Sequence, residues 1–249
     1  MTLTHAEYQA IAAKIRPNGQ AFIDGKFCDA ADGEKFETVN PATGQVLACV
    51  AHCKAADVDH AVDAARRVFN AGTWSRAEPE ERKKVLLKIS NLVREHTHEL
   101  AVLESLDTGK TINDCMDEIG GEVVNFFQWY AELADKSFGK IAPTGPSALA
   151  LIVKEPAGVA GAVLPWNFPL VMAAWKIAPA LSVGCSAVIK PAEQTPLSTI
   201  RLAELMREAG VPDGVINIVP GYGETAGQAI GMHNDIDTVS FTGSSEVGR

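Results

Sequence analysis

The stretch GVAGAVLPWNFP, residues 158–169, is an apolar run that ends in a proline-rich turn. Similar runs ending in polar turns recur further along the chain at SAVIKPAE, VINIVPGYGE and TVSFTGSS. Runs of this length and composition predict strands at residues 159–164, 187–190, 215–219 and 238–241. Apolar residues at helical spacing fill the intervals and predict helices at residues 170–182, 197–209 and 224–232.

This regular alternation of strands and helices predicts an α/β fold built on a doubly wound parallel sheet. Ligands of such sheets bind at the carboxyl ends of the strands. Asn167 follows the first strand, Lys190 and Glu193 follow the second, and a Gly-Ser turn at residues 242–245 follows the fourth. Taken singly, Asn167 could be a helix cap, Lys190 and Glu193 could be a surface ion pair, and the Gly-Ser turn could be a tight connection. Their shared position at one edge favours a binding site.

The uncharged run from Pro156 to Trp175 is long enough to cross a bilayer. Pro165, Asn167 and Pro169 interrupt it, and in hydrocarbon they would leave backbone and amide groups without partners. The run is therefore predicted to be a buried strand, a turn and a buried helix.

The first half of the chain reads as hairpins followed by helices. Asp24-Gly25 and the turn at residues 41–44 predict two surface hairpins. Apolar spacing predicts helices that begin near Asp57, at Pro79 and near Thr97, and a longer one over residues 112–136. The aromatic side chains of this last helix are expected in the core, namely Phe126, Phe127, Trp129 and Tyr130. A further strand is predicted at residues 148–154.

Composition excludes several kinds of partner. The net charge of -9 and the pI near 5.2 leave no basic face for nucleic acid or for an acidic membrane surface. The amino terminus lacks the apolar segment of a secretory signal, which predicts a cytoplasmic protein. The five cysteines are an odd number in apolar or helical contexts, which predicts reduced thiols. Cys49, His52 and Cys53 lie close together, but no second ligand pair follows to complete a metal site.

Three motifs resemble the NAD(P)-dependent aldehyde dehydrogenase superfamily in identity and spacing: PWNFP at 165–169, KPAEQTP at 190–196 and FTGSSEVG at 241–248. The resemblance extends over essentially the whole chain through FETVNPATG at 36–44, LDTGK at 106–110 and residues 209–230. It implies a Rossmann-like fold that is incomplete at its carboxyl terminus. The implied divisions are an N-terminal part of the cofactor-binding domain at 1–137, an oligomerisation strand segment at 138–158 and a truncated NAD-binding core at 159–249.

The resemblance also implies roles for single residues. Asn167 would be catalytic and donate its amide to the oxyanion of the reacting aldehyde. Lys190 and Glu193 would hold the adenosine ribose, and the carboxylate would favour NAD over NADP because it repels a 2'-phosphate. The other implied cofactor-binding residues are Leu164, Pro165, Trp166, Gly223, Gly227, Phe241, Thr242, Gly243 and Ser244.

The position of the diphosphate has two readings. The turn from Gly221 to Gly227 follows a strand and opens a helix, so a generic reading places the phosphates there. The resemblance places them at residues 243–248, with Gly223 and Gly227 packed near the adenine.

A monovalent cation site is also implied, because some members of the superfamily have one. The matching oxygen donors are the carbonyls of Thr38 and Val39, the Asp107 carboxylate and Gln194. Structural hydrogen bonding is the alternative use of these groups.

The activity implied is NAD-dependent oxidation of an aldehyde to its carboxylic acid, through a thiohemiacetal on a cysteine beyond residue 249. Within the superfamily the chain looks most like enzymes for γ-glutamyl-γ-aminobutyraldehyde and related aminoaldehydes, with Phe168, Met172 and Trp175 contributing to the substrate tunnel. A homodimer or homotetramer is expected. The alternative is a stand-alone nucleotide-binding module without catalysis. The fragment is expected to aggregate through exposed apolar surface and strand edges, and the module to be monomeric.

Overall fold

The computed structural model describes residues 3–248. Its strands are β1 (Ala21–Ile23), β2 (Lys26–Cys28), β3 (Lys35–Val39), β4 (Val46–Ala51), β5 (Lys140–Ala142), β6 (Ala150–Ile152), β7 (Val159–Val163), β8 (Ser186–Lys190), β9 (Ile216–Ile218) and β10 (Thr238–Phe241). Its helices are α1 (His5–Ala12), α2 (Ala55–Ala71), α3 (Pro79–Glu95), α4 (Thr97–Thr108), α5 (Ile112–Asp117), α6 (Val124–Leu133), α7 (Pro169–Val183), α8 (Leu197–Ala209) and α9 (Gln228–Met232). Two π-helical turns lie at Glu118–Val123 and Gly223–Gly227.

The predicted alternation in the second half is confirmed: β7, α7, β8, α8, β9, α9 and β10 follow one another along the chain. The uncharged run from residue 156 to 175 is β7, a turn and the first half of α7. Among residues 3–248, no helix combines the length and the apolar character needed to span a bilayer.

The main sheet is mixed rather than wholly parallel. Its strands lie in the order β10-β7-β8-β9-β1-β2, and β10 to β9 are parallel. The first hairpin, predicted to be a surface feature, instead extends this sheet because β1 pairs antiparallel with β9 through Phe22 and Ile218. Phe22 is buried, so the pairing covers apolar surface and also covers the open edge of β9. The local turn signal carried no information about this distant partner.

Helices cover both faces of the sheet. Along β8, Ala187 and Ile189 join a core that includes residues of α3, α6, α7 and α8. Val188, between them, joins the opposite core, which includes residues of α2 and α9. Successive side chains of a strand point to opposite faces, so β8 is buried on both sides as a doubly wound architecture requires.

The predicted helix at residues 112–136 is present but interrupted. The π-helical turn at Glu118–Val123, which contains adjacent glycines, separates α5 from α6. The prediction that its aromatic residues lie in the core is wrong for Trp129, whose side chain is 67% exposed, whereas Phe127 is fully buried. Residues two apart on a helix do not share a face, so Trp129 cannot follow Phe127 inward.

Two hairpins stand apart from the main sheet, one formed by β3 and β4 and the other by β5 and β6. The strand predicted at residues 148–154 is β6, and β5 pairs with it antiparallel through Ile141 and Leu151. Both of these side chains are exposed, as are Leu149, Ile152 and Val153. The hairpin of β5 and β6 therefore presents apolar side chains to solvent.

Candidate nucleotide-binding and oxyanion site

The loops that follow β7 and β8 are joined by two hydrogen bonds. The Leu164 amide donates to the Lys190 carbonyl at 3.0 Å, and the Thr195 hydroxyl donates to the Trp166 carbonyl at 3.1 Å. The fold thus brings the PWNFP and KPAEQTP motifs side by side, as expected for the carboxyl ends of adjacent parallel strands.

Asn167 lies in an exposed position at the tip of the first loop. Within the described part of the chain, no hydrogen bond to its side-chain amide is found, so the amide remains available as a donor. Pro169 begins α7 directly after the loop, where its fixed φ suits the first helical position and its missing N–H costs nothing.

Two charged residues of the α4 region hold this loop, and the sequence did not identify them. The Glu104 carboxylate accepts from the Leu170 amide at 3.2 Å, in the first turn of α7. The Lys110 ammonium lies 3.9 Å from the centre of the Phe168 ring, within cation–π range. Two features of the sequence could have pointed to them. Glu104 is a carboxyl on the apolar face of a predicted helix, and Lys110 is the lysine of the LDTGK motif.

Lys190 and Glu193 form the ion pair that their spacing allowed. The Lys190 Nζ lies 2.9 Å from Oε2 of Glu193, and Lys190 is almost completely buried while Glu193 is half-buried. Burial acts to raise the pKa of Glu193, but the Lys190 ammonium outweighs this effect and the pKa lies below its usual value. Its other oxygen, Oε1, accepts from the side-chain amide of Gln194 at 3.1 Å and has no further partner among residues 3–248.

The two glycine-rich turns differ in their surroundings. At the π-helical turn after β9, a Cβ added to Gly227 would lie 3.6 Å from Cδ of Lys190, so this turn packs beside the lysine. After β10, the Thr242 amide bonds the Val163 carbonyl at 3.2 Å, which places that turn beside the loop carrying Asn167. Ser244 begins a helical turn: its Oγ accepts from the Val247 amide at 3.3 Å and its carbonyl from Gly248 at 3.1 Å.

The residues predicted for a cation are partly brought together. The Thr38 hydroxyl lies 3.0 Å from Oδ1 of Asp107 and 3.3 Å from the Gln194 carbonyl, and Oδ2 of Asp107 accepts from the Leu197 amide at 3.0 Å. Burial raises the pKa of Asp107 to about 7, although the hydrogen bonds from Leu197 and Thr38 act to lower it. Both carboxyl oxygens therefore have protein partners, which favours the structural alternative, and the cation stays a prediction.

Three of the five thiols are buried, and Cys53 lies against the loop that follows β9, where its amide donates to the Pro220 carbonyl at 2.8 Å. Cys53, Cys115 and Cys185 are buried, Cys28 is half-buried and Cys49 is exposed on β4. Burial raises the pKa of Cys53 and of Cys115, and nearby carboxylates raise both further. Such thiols are poor nucleophiles because the thiolate is the reactive form.

Comparison with known proteins gives one consistent result. Residues 27–249 match the aldehyde dehydrogenase family. The aminoacetaldehyde dehydrogenase of Pseudomonas aeruginosa is 53% identical over 247 residues, which are 99% of this chain and 50% of that protein.

Solved structures agree with the sequence match. The γ-glutamyl-γ-aminobutyraldehyde dehydrogenase of Burkholderia cenocepacia superposes with a TM-score of 0.96 at 48% identity, covering 99% of this chain and 50% of that one. The indole-3-acetaldehyde dehydrogenase of P. syringae, solved with NAD+ and IAA, gives a TM-score of 0.97 at 45% identity with the same coverage. The chain thus spans about half the length of the relatives it matches.

Proposed function

The chain belongs to the aldehyde dehydrogenase family, and we propose that it forms the nucleotide-binding part of an enzyme that uses NAD to oxidise an aldehyde to a carboxylic acid. The observation that carries the proposal is the direct bonding between the loop of Asn167 and the loop of Lys190 and Glu193. An amide donor and a pair suited to sugar hydroxyls thereby share one edge of the sheet.

The strand order supports the proposed place of the diphosphate. The chain runs from β7 to β8 to β9 in one direction and then returns to place β10 on the other side of β7. Ligands of doubly wound sheets bind where the order reverses, which here is between β7 and β10. The turn at residues 243–248 follows β10 at this point, and Ser244 opens a helical turn whose N–H groups suit phosphate.

The residues present fit the adenosine part of NAD. Among the described residues, Oε1 of Glu193 is bonded by Gln194 alone, so this oxygen can also accept from a ribose hydroxyl. The buried Lys190 holds the carboxylate in place through Oε2. Near Gly223 a Cβ would meet nothing within 4 Å, which leaves room beside the turn. We place the diphosphate and its approach along Leu164, Pro165, Trp166, Phe241, Thr242, Gly243 and Ser244, and the adenine near Gly223 and Gly227.

The chemistry assigned to this chain is stabilisation of negative charge. Asn167 donates its amide to the aldehyde oxygen as a thiolate adds to the carbonyl carbon and that oxygen becomes negative. An amide suits the task because it brings no ion that must itself be desolvated. Bound NAD would supply the hydride acceptor for this oxidation. We place the thiolate and the general base beyond residue 249; in support, Cys53, Cys115 and Cys185 are buried.

An aminoaldehyde is the proposed substrate class. Two similar proteins are named for aminoacetaldehyde and for γ-glutamyl-γ-aminobutyraldehyde. A cleft of about 630 Å³ between α6 and α7 supports the idea, because it is lined by Trp129 and Trp175 together with Glu122 and Glu132. Aromatic rings and carboxylates suit an amino or amide group. We assign Phe168, at the N-cap of α7, and Met172, in its first turns, to the same substrate path.

The test is aldehyde-dependent NADH formation by the protein expressed from its own gene. Aminoaldehydes are expected to give a higher kcat/KM than apolar aldehydes of equal length. Asn167→Ala is expected to lower kcat by about 10²- to 10³-fold, while Asn70→Ala, at an exposed position of α2, leaves it unchanged.

The stand-alone nucleotide-binding module makes the opposite prediction. Binding of NAD+ without NADH formation from any aldehyde would favour the module and contradict the proposed oxidation. Equal activity of Asn167→Ala and the unmodified protein would remove the role assigned to the amide.

A further inference from the structure

Glu104 is a buried carboxyl that joins three helices. It lies on α4 with no exposed surface. One of its oxygens, Oε2, accepts from the Leu170 amide at 3.2 Å and from the Ser198 hydroxyl at 2.9 Å. Leu170 is in the first turn of α7 and Ser198 in the first turn of α8. A single oxygen therefore fixes the starts of both helices to α4.

The Leu170 amide is one that a helix cannot satisfy internally. The first N–H groups of a helix have no carbonyl partner within it, and leaving one buried and unpaired is costly. Phe168, at the N-cap position, makes no side-chain bond to this turn. Glu104 supplies the missing acceptor from 66 residues away in the sequence.

Glu104 carries less negative charge near neutral pH than an exposed carboxylate does. Burial raises the pKa of Glu104 to about 7. The hydrogen bonds from Ser198 and Leu170 and the positive charge of Lys110 act to lower it, but burial outweighs them. Lys110 itself is paired with Glu118 at 2.6 Å. A fixed negative charge close to an oxyanion would oppose its formation, so an uncharged or balanced acceptor behind the loop suits the proposed chemistry.

The loop between these anchors is short. Asn167 is three residues before Leu170, and between them Phe168 lies beneath the Lys110 ammonium while Pro169 has a fixed φ. On the other side, the Trp166 carbonyl is held by Thr195. Few free backbone torsions remain between the fixed points, so a shift of Leu170 is transmitted to the backbone of Asn167.

We propose that Glu104 is a positioning residue for Asn167, which it holds in register by anchoring the first turn of α7 to α8. The proposal rests on the proposed function only in that Asn167 is taken as the oxyanion donor. A helix-packing role alone would not require a polar group here, because burying an unpaired carboxyl oxygen such as Oε1 of Glu104 costs stability.

A double-mutant cycle in the protein expressed from its own gene tests the coupling. Glu104→Ala is expected to lower kcat about tenfold, with the Kd for NAD+ unchanged, because a displaced donor loses its alignment with the oxyanion. In the Asn167→Ala background the same change is expected to cost less than about twofold, since the donor is already absent. Glu104→Gln keeps an acceptor oxygen and is expected to retain most of the activity. Equal losses in both backgrounds would overturn the proposal.

Hydrogen exchange gives a readout that does not depend on turnover. Exchange of the Leu170 amide is expected to accelerate at least about tenfold in Glu104→Ala, through loss of its acceptor. The matched control is Asp57→Asn, another buried carboxyl that accepts from the Ala31 and Lys54 amides but lies on α2. This control is expected to leave the exchange rate of the Leu170 amide unchanged.

The two readouts separate the two claims. Faster Leu170 exchange without any NADH formation would contradict the proposed function and leave the anchoring intact, whereas unchanged exchange in Glu104→Ala would overturn the anchoring. If Glu104→Ala does not fold, Glu104→Met keeps the volume, removes both oxygens and is subject to the same expectations.

Discussion

At the scale of single residues, the sequence identified groups that are polar and follow strands. Lys190 and Glu193, three residues apart, form the expected pair. It did not identify Glu104 or Lys110, because their partners Leu170 and Phe168 are some sixty residues away and reach them only through the fold. The role of a buried polar residue depends on the group that it bonds, and a single sequence does not identify that group.

Glu193 provides the prediction at this scale. Its carboxylate repels a 2'-phosphate, so Glu193→Gln is expected to narrow the preference for NAD over NADP by about tenfold, which corresponds to about 1.4 kcal/mol. The measurement is the ratio of kcat/KM for the two cofactors in the protein expressed from its own gene. Glu95→Gln, exposed on α3, serves as the control. An unchanged ratio in Glu193→Gln would remove the role assigned to this residue.

At the scale of elements, the sequence predicted the helices with regular apolar spacing, but not the irregular or very short elements. Apolar spacing located α2, α3, α7 and α8 because each buries one clear face. Within α6, Trp129 is two residues from the buried Phe127 and lies on another face, so it was wrongly placed in the core. The strand β5 was missed because three residues, Lys140–Ala142, are too short to show alternation.

The hairpin of β5 and β6 provides the prediction at the scale of elements. We propose that its exposed apolar side chains associate with another copy of the chain, since contiguous apolar surface and open strand edges favour association. Leu151→Lys is expected to lower the oligomeric state measured by light scattering. The control, Val46→Lys, changes an equally apolar exposed residue on β4. An oligomer that persists in Leu151→Lys, or that dissociates equally in Val46→Lys, would contradict this assignment.

At the scale of the whole molecule, the sequence predicted an alternating α/β sheet but not the order of its strands. Order depends on which strand edges meet, and the pairing of β1 with β9 joins Phe22 to Ile218, which are far apart in the sequence. The reversal between β7 and β10 is likewise visible only in the fold. This reversal gives a physical reason to prefer residues 243–248 over residues 221–227 for the diphosphate.

The most direct test is a crystal structure, with NAD+, of the protein expressed from its own gene. We expect the adenosine ribose hydroxyls on Lys190 and Glu193, and the diphosphate at residues 243–248 beside the loop of Asn167. A diphosphate seated on the turn from Gly221 to Gly227, or a ribose away from Glu193, would contradict this expectation.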